Sequence, residues 1–143
     1  MGSRPTRRGR RVDITARTPI HATEDRERVL EAILRVLPGE AHGDGIEVRG
    51  HDPQPLRERI WELRIIDTVR SALLGGCEGS QARLVLSKQA LVAGKVSLPP
   101  SSHPLGDVAV TFRVAQDDPW DDAEAFAWWL CPETEDGQII GPV

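Results

Sequence analysis

DPQPLRERIWELRIIDTVRSALLG, residues 52–75, carries the longest helical signal in the chain. Asp52 suits an N-cap and Pro53 the first helical position, where a missing N–H costs nothing. Gly75 and Gly76 supply a left-handed stop at the other end. At 100° per residue the apolar positions do not form one stripe. Leu56, Ile60 and Leu63 share one face, whereas Ile65, Ile66, Val69, Ala72 and Leu73 share another turned well away from it. The pattern requires either a bend near Leu63–Arg64 or different partners on two sides. No side chain in the stretch is a nucleophile beside a base, so the stretch specifies a scaffold.

The flanking segments say what that scaffold carries. From Arg11 the chain alternates strictly, with Val12, Ile14, Ala16, Thr18 and Ile20 against Arg11, Asp13, Thr15 and Arg17, as in a half-buried strand. Thr23 is placed to cap a helix with Glu24, Asp25 and Glu27 in its first turn and Val29, Leu30, Ile33, Leu34 and Leu37 at helical spacing. Pro38-Gly39 ends it. Ile46 and Val48 alternate with Glu47 and Arg49 in a short strand. Residues 81–87 alternate again, and KQALVAG (88–94) reads either as a helical turn or as a bulged link into residues 95–98. Val108, Val110, Phe112 and Val114 define a last strand. The order is β-α-β-α-β-(short α)-β-β. Strands with one apolar and one polar face imply an α+β fold, a mostly antiparallel sheet with two main helices packed on one side.

At 143 residues the chain is long enough for one well-buried domain, expected over residues 12–114. Its net charge of −4 conceals an asymmetry. Residues 1–11 hold five arginines and no acid, and read as a disordered basic arm. Residues 115–143 hold eight acids and neither Lys nor Arg, and form an acidic extension with Trp120, Trp128 and Trp129. Asp118-Pro119 would open a short helix there, ended by Cys131-Pro132, its indoles either docked on the core or offered to a partner. No apolar run is long enough to span a membrane. Met1-Gly2 fits the letters of a myristoylation signal, but nothing else points to a membrane. Cys77 and Cys131, far apart and without metal spacing, fit a reduced, cytoplasmic setting.

No motif here carries catalysis, a metal or a cofactor. His21, His42, His51 and His103 lack metal-ligand spacing. Gly94-Lys95 fails the phosphate-loop pattern at Gln89 and Val96, and the glycines at 75, 76 and 79 fit a turn. Arg64, Asp67 and Arg70 read as an ion-pair ladder on a helix surface; the functional counter-reading has Asp67 aiming an arginine at a phosphate. The polar side of the sheet is more suggestive. Its parity places Arg17, Arg49, Arg83 and Arg113 on the open face against Asp13, Glu47 and Asp107, with Lys88 and Lys95 at the edge. Such a platform suits a nucleic-acid backbone. The chain has no tyrosine, and its two phenylalanines lie elsewhere or point inward. Stacking of bases on sheet aromatics is therefore excluded, leaving recognition by phosphate and shape.

Four stretches, in order, carry a resemblance: Ala22-Thr23-Glu24-Asp25, Leu63-Arg64-Ile65-Ile66-Asp67-Thr68-Val69-Arg70, Leu86-Ser87-Lys88-Gln89-Ala90 and Gly94-Lys95-Val96-Ser97. Over residues 12–114 the chain resembles an archaeal family of small uncharacterised proteins labelled as predicted RNA-binding or exosome-subunit-like. The resemblance implies a fold like that of the large-subunit ribosomal protein that binds five-S RNA, and RNA as the partner. Some family relatives are joined to a P-loop kinase of the dephospho-coenzyme-A kinase type, which implies a protein partner instead. The family has no motif of binding residues to carry over, and the basic arm and acidic extension depart from its compact pattern.

Two expectations follow. The first is a non-catalytic RNA-binding domain using Arg17, Arg49, Arg83, Lys88, Lys95 and Arg113. The second is a protein-interaction module, a homodimer or the partner of a nucleotide kinase, using Ile65, Val69, Leu73, Trp120, Trp128 and Trp129.

Overall fold

The period-two segments pair into one antiparallel sheet in the computed structural model, which describes residues 12–43, 45–99, 106–115, 120, 122–135 and 138–139. The basic arm, the Pro100–Leu105 part of the central loop and Asp118-Pro119 lie outside the described residues. The elements are β1 (Asp13–Thr18), α1 (Arg26–Val36), β2 (Glu40–His42), β3 (Ile46–Gly50), α2 (Gln54–Glu62), α3 (Ile66–Gly75), β4 (Cys77–Glu78), β5 (Gln81–Leu86), α4 (Lys88–Val92), β6 (Val108–Arg113), α5 (Ala123–Leu130), β7 (Thr134–Glu135) and β8 (Gln138–Ile139). The main sheet has the order β2-β3-β1-β6-β5-β4, and β7 and β8 form a separate hairpin. The fold is α+β, with the helices on one side of the sheet.

Strands β1, β3, β5 and β6 turn their apolar sets to those helices. Ile14, Ala16, Ile46, Val48, Ala82, Leu84, Leu86, Val108, Val110 and Phe112 are buried, while the intervening residues are exposed or half-buried. Helix α1 lies over β3, and α3 and α5 lie over β5. Gly39 and Gly50 bring the exit of α1 and the end of β3 so close that a Cβ on either would strike the other segment's carbonyl. That contact seats β2 beside β3.

The 52–75 stretch is two helices. Ile65 N–H bonds the Ile60 carbonyl at 3.3 Å and Arg64 N–H the Trp61 carbonyl at 3.1 Å, the two bonds of a Schellman stop. Arg64 takes the left-handed position with φ 59°. The break resolves the two-faced pattern, because it turns the second half until Ile66, Val69 and Leu73 bury into the same core as Leu56 and Ile60. The interface expected from Val69 and Leu73 is thereby corrected: both are fully buried, and Ile65 packs half-buried against the core.

Other local expectations shift by a few residues. Asp25, not Thr23, caps α1, accepting from Glu27 N at 3.1 Å, while Glu24 accepts from His21 N. Asp52 accepts from Gln54 N at 3.0 Å ahead of α2. Residues 88–92 form helix α4, capped by Ser87. Residues 95–98 do not join the sheet, because β6 already has β1 and β5 on its two sides; the Ser97 carbonyl accepts from Ser87 N at 2.8 Å. Helix α5 is capped by Asp122, and its Phe126 packs on Phe112 with ring centroids 5.0 Å apart.

Candidate nucleic-acid interface

The bare face of the sheet is a lattice set by strand register. One row across it reads Glu40, Arg49, Thr15, Thr111, Arg83. The row toward the β2–β3 turn reads His42, Glu47, Arg17, Ala109, Val85. At the opposite end Asp13, Arg113 and Gln81 lie side by side. Arg17, Arg49, Arg83 and Arg113 are all exposed here. Adjacent strands lie ~4.8 Å apart, so Arg49 on β3 and Arg83 on β5, three intervals apart, stand about 14 Å from each other. Between them small side chains, Thr15, Ala109 and Thr111, form the floor of a shallow concavity of about 540 Å³.

The arginines are held differently. Glu47 accepts from Arg17 Nε at 3.1 Å and from Arg49 Nε at 2.5 Å. The Arg49 hydrogen bond outweighs the cost of desolvation and, helped by the charge of Arg17, holds the Glu47 carboxyl below its ordinary range. Because both bonds use Nε, neither uses the terminal amino groups of the guanidiniums. Arg113 Nη2 donates to Gln81 Oε1 at 3.1 Å. Arg83 has no side-chain partner among the described residues. Asp13 meets His51 Nδ1 at 3.0 Å. Both phenylalanines are fully buried on the helix side, so no Phe, Tyr or Trp ring lies on this face among the described residues, and the exposed His42 is its one aromatic side chain among them.

The two lysines do not belong to it. Lys88 is 3% exposed, and its Nζ donates to the Pro19 carbonyl at 2.7 Å and to Glu24 Oε1 at 3.0 Å. This corrects its expected place at the binding edge: it is a buried tie between the β1–α1 loop and α4. Lys95 is exposed but lies on the helix side, beside Arg35 and Arg59 in a cleft between α1, α2 and the end of α4.

Asp67 and Arg70 both bond the chain's own C-terminal segment, Arg70 largely covered and Asp67 exposed. Arg70 donates to the Pro132 carbonyl at 2.6 Å and to Asp67 at 2.8 Å, and Asp67 accepts from the Thr134 hydroxyl. That hydroxyl leads the causes that hold the Asp67 carboxyl below its ordinary range. The tryptophans divide. Trp120 is buried against Phe126 and Trp129, Trp129 is half-buried, and Trp128 is 42% exposed with Arg70 5.2 Å from its ring centroid. Sequence spacing alone missed Arg57, which is buried between Trp61 and Trp129 at 4.1 Å from each centroid.

Among the described residues no three His, Cys, Asp or Glu side chains could hold a metal ion. Cys77 and Cys131 are free thiols, and burial pushes that of Cys131 up to about 12. No described helix is long and apolar enough to cross a membrane.

An antiparallel sheet backed by helices, with four exposed arginines on its bare face, defines an α+β domain with an open sheet surface. The chain belongs to the family whose model is described as RNA binding, which matches residues 13–115. It is similar to a UPF0201 protein of Pyrococcus horikoshii, 33% identical over 132 residues, covering 85% of this chain and 90% of that one. It is also 31% identical over 138 residues to a UPF0200/UPF0201 protein of Archaeoglobus fulgidus, covering 90% of this chain but only 40% of that protein. Among solved structures, an uncharacterized UPF0201 protein superposes with a TM-score of 0.70 at 31% identity, over 90% of this chain and 100% of that one. The UPF0201 protein of Methanococcus jannaschii shares the fold, with a TM-score of 0.81 at 23% identity over 90% of this chain and 99% of that one.

Proposed function

We propose that the open sheet face binds RNA, without catalysis, through the sugar–phosphate backbone and the shape of the helix. The observation that carries this is the register-fixed set Arg17, Arg49, Arg83 and Arg113 on a face without Phe, Tyr or Trp among the described residues. Arginine forks match phosphate oxygens, and the small floor residues permit close approach. The family description supports RNA over other polyanions, and two free thiols fit a cytoplasmic protein. If the four arginines replace four counterions, affinity for structured RNA falls about 50- to 150-fold between roughly 50 and 200 mM salt. Filter binding at the two salt concentrations tests this; absence of binding at micromolar protein in low salt would end the proposal.

The runner-up is a protein-interaction module without nucleic-acid binding, as a homodimer or beside a nucleotide kinase. Its support is the exposed Trp128 and the A. fulgidus relative, in which the matching region is part of a longer chain. The burial of Val69, Leu73 and Trp120 removes most of the apolar surface it would use. Light scattering that finds a dimer, together with no RNA retention, is the result that would favour it.

A further inference from the structure

We infer that the hollow at the His42 end of the sheet receives one unpaired nucleotide of the bound RNA, its base stacked on the guanidinium planes of Arg17 and Arg49. This rests on the RNA reading above and adds to it a single-base pocket. The hollow has a volume of about 680 Å³, within the ~300–1,000 Å³ range of small-ligand sites. It adjoins the phosphate-compatible floor, sharing Arg17, Glu47, Arg49 and Ala109 with it.

Three features favour a base over a bare phosphate. The wall includes the exposed ring of Pro19, and the short side chain of Ala109 opens the hollow between Arg17 and Val85 in its row. The Pro19 ring and the Ala109 methyl suit a flat ring and carry no hydrogen-bond donor of their own for a phosphate. Two carboxylates, Glu47 and Asp107, also line it. Each would repel a phosphate, whereas Asp107 can accept from an amino group on a base edge. Finally, Glu47 fixes both arginines by their Nε atoms. That restraint keeps the two guanidiniums together at one wall of the hollow, and a guanidinium is a flat cation that can stack as well as pair. Arginine planes thereby take the role that aromatic rings fill on other sheet platforms.

The test uses the full chain and two RNA duplexes identical except for a single bulge, one bearing a normal nucleotide and the other an abasic residue with the same phosphates. Tighter binding of the base-bearing bulge by about fivefold or more is expected. Arg17→Lys keeps the charge, so it should keep the salt dependence and lose the preference. Equal affinity of the parent chain for the two RNAs overturns the pocket while leaving the RNA reading intact. A preference that survives Arg17→Lys overturns the stacking role of Arg17, and failure to bind either RNA overturns the RNA reading itself.

Discussion

The guanidinium carbon of Arg57 lies 4.1 Å from the ring centroid of Trp129, and Arg57 Nε donates to the backbone carbonyl of the same residue at 3.0 Å. One side chain thus covers the indole and satisfies a carbonyl in the last turn of α5, which has no intrahelical partner of its own. Trp61 closes the other face of Arg57 and donates its indole N–H to the Leu130 carbonyl at 2.9 Å. Helix α2 holds the C-terminal end of α5 by these two residues.

Loss of this grip is the first expected outcome. Arg57→Ala removes two desolvated cation–π contacts and leaves the Trp129 carbonyl to find another donor, at a cost of about 2–4 kcal/mol. For a chain of this size that lowers the melting temperature by roughly 5–15 °C, measurable by circular dichroism. Arg57→Lys should recover little, because an ammonium cannot lie flat between two indoles.

The break between α2 and α3 gives a second. Arg64 occupies the left-handed position that glycine usually fills at a Schellman stop. A non-glycine residue pays about 1 kcal/mol there, partly offset in glycine by greater freedom of the unfolded chain. Arg64→Gly should leave the fold unchanged and raise stability by up to about 1 kcal/mol in chemical denaturation. Arg64→Pro, whose φ is fixed near −65°, should destabilise it severely.

That break also shows what a single sequence conceals. Parity along β1, β3, β5 and β6 was enough to place four arginines on one face, because every second residue of a strand shares a side. The stop at Arg64 carried no glycine, so the sequence showed it only as a shift of the apolar stripe near Leu63–Arg64, whereas the same backbone pattern at Gly94, with Lys95 N–H on the Ala90 carbonyl at 2.8 Å, has its glycine. Lys88 looked like an edge cation because the carboxylate that buries it is Glu24, 64 positions away. Asp67 and Arg70 were legible as an i, i+3 pair, but their second partners, Thr134 and Pro132, come from beyond α5. Local periodicity encodes faces; pairing across the fold is settled by packing.

The Glu24–Lys88 tie supplies a pH-dependent prediction. Burial alone would push the Glu24 carboxyl up, but the His21 backbone N–H and the Lys88 ammonium together hold it below the ordinary glutamate value. A carboxyl depressed in the folded state contributes stability that is present above its unfolded pKa of about 4.3 and lost as pH falls through its lower folded value. The parent chain should therefore lose stability more steeply between about pH 5 and pH 3 than Glu24→Gln does. Glu24→Gln should in turn be the less stable of the two at neutral pH. Urea midpoints across that range decide it, and parallel curves would contradict the assignment.

Charge position, rather than charge number, should govern RNA binding. Arg83→Ala removes an exposed cation of the open face without breaking any side-chain bond among the described residues, so it should weaken RNA binding and reduce the salt slope by about 0.7–0.9 while leaving the fold intact. Lys95→Ala removes the same charge from the helix side and should change neither quantity appreciably. Lys88→Met removes a buried cation and strands Glu24 inside the fold, costing about 3–5 kcal/mol of stability; the fraction that remains folded should bind RNA with the parent's salt slope. Filter binding over a salt series, paired with a melting curve for each variant, separates these three outcomes. An equal loss of affinity from Arg83→Ala and Lys95→Ala would mean that RNA responds to net charge alone, and that the sheet face has no privileged role.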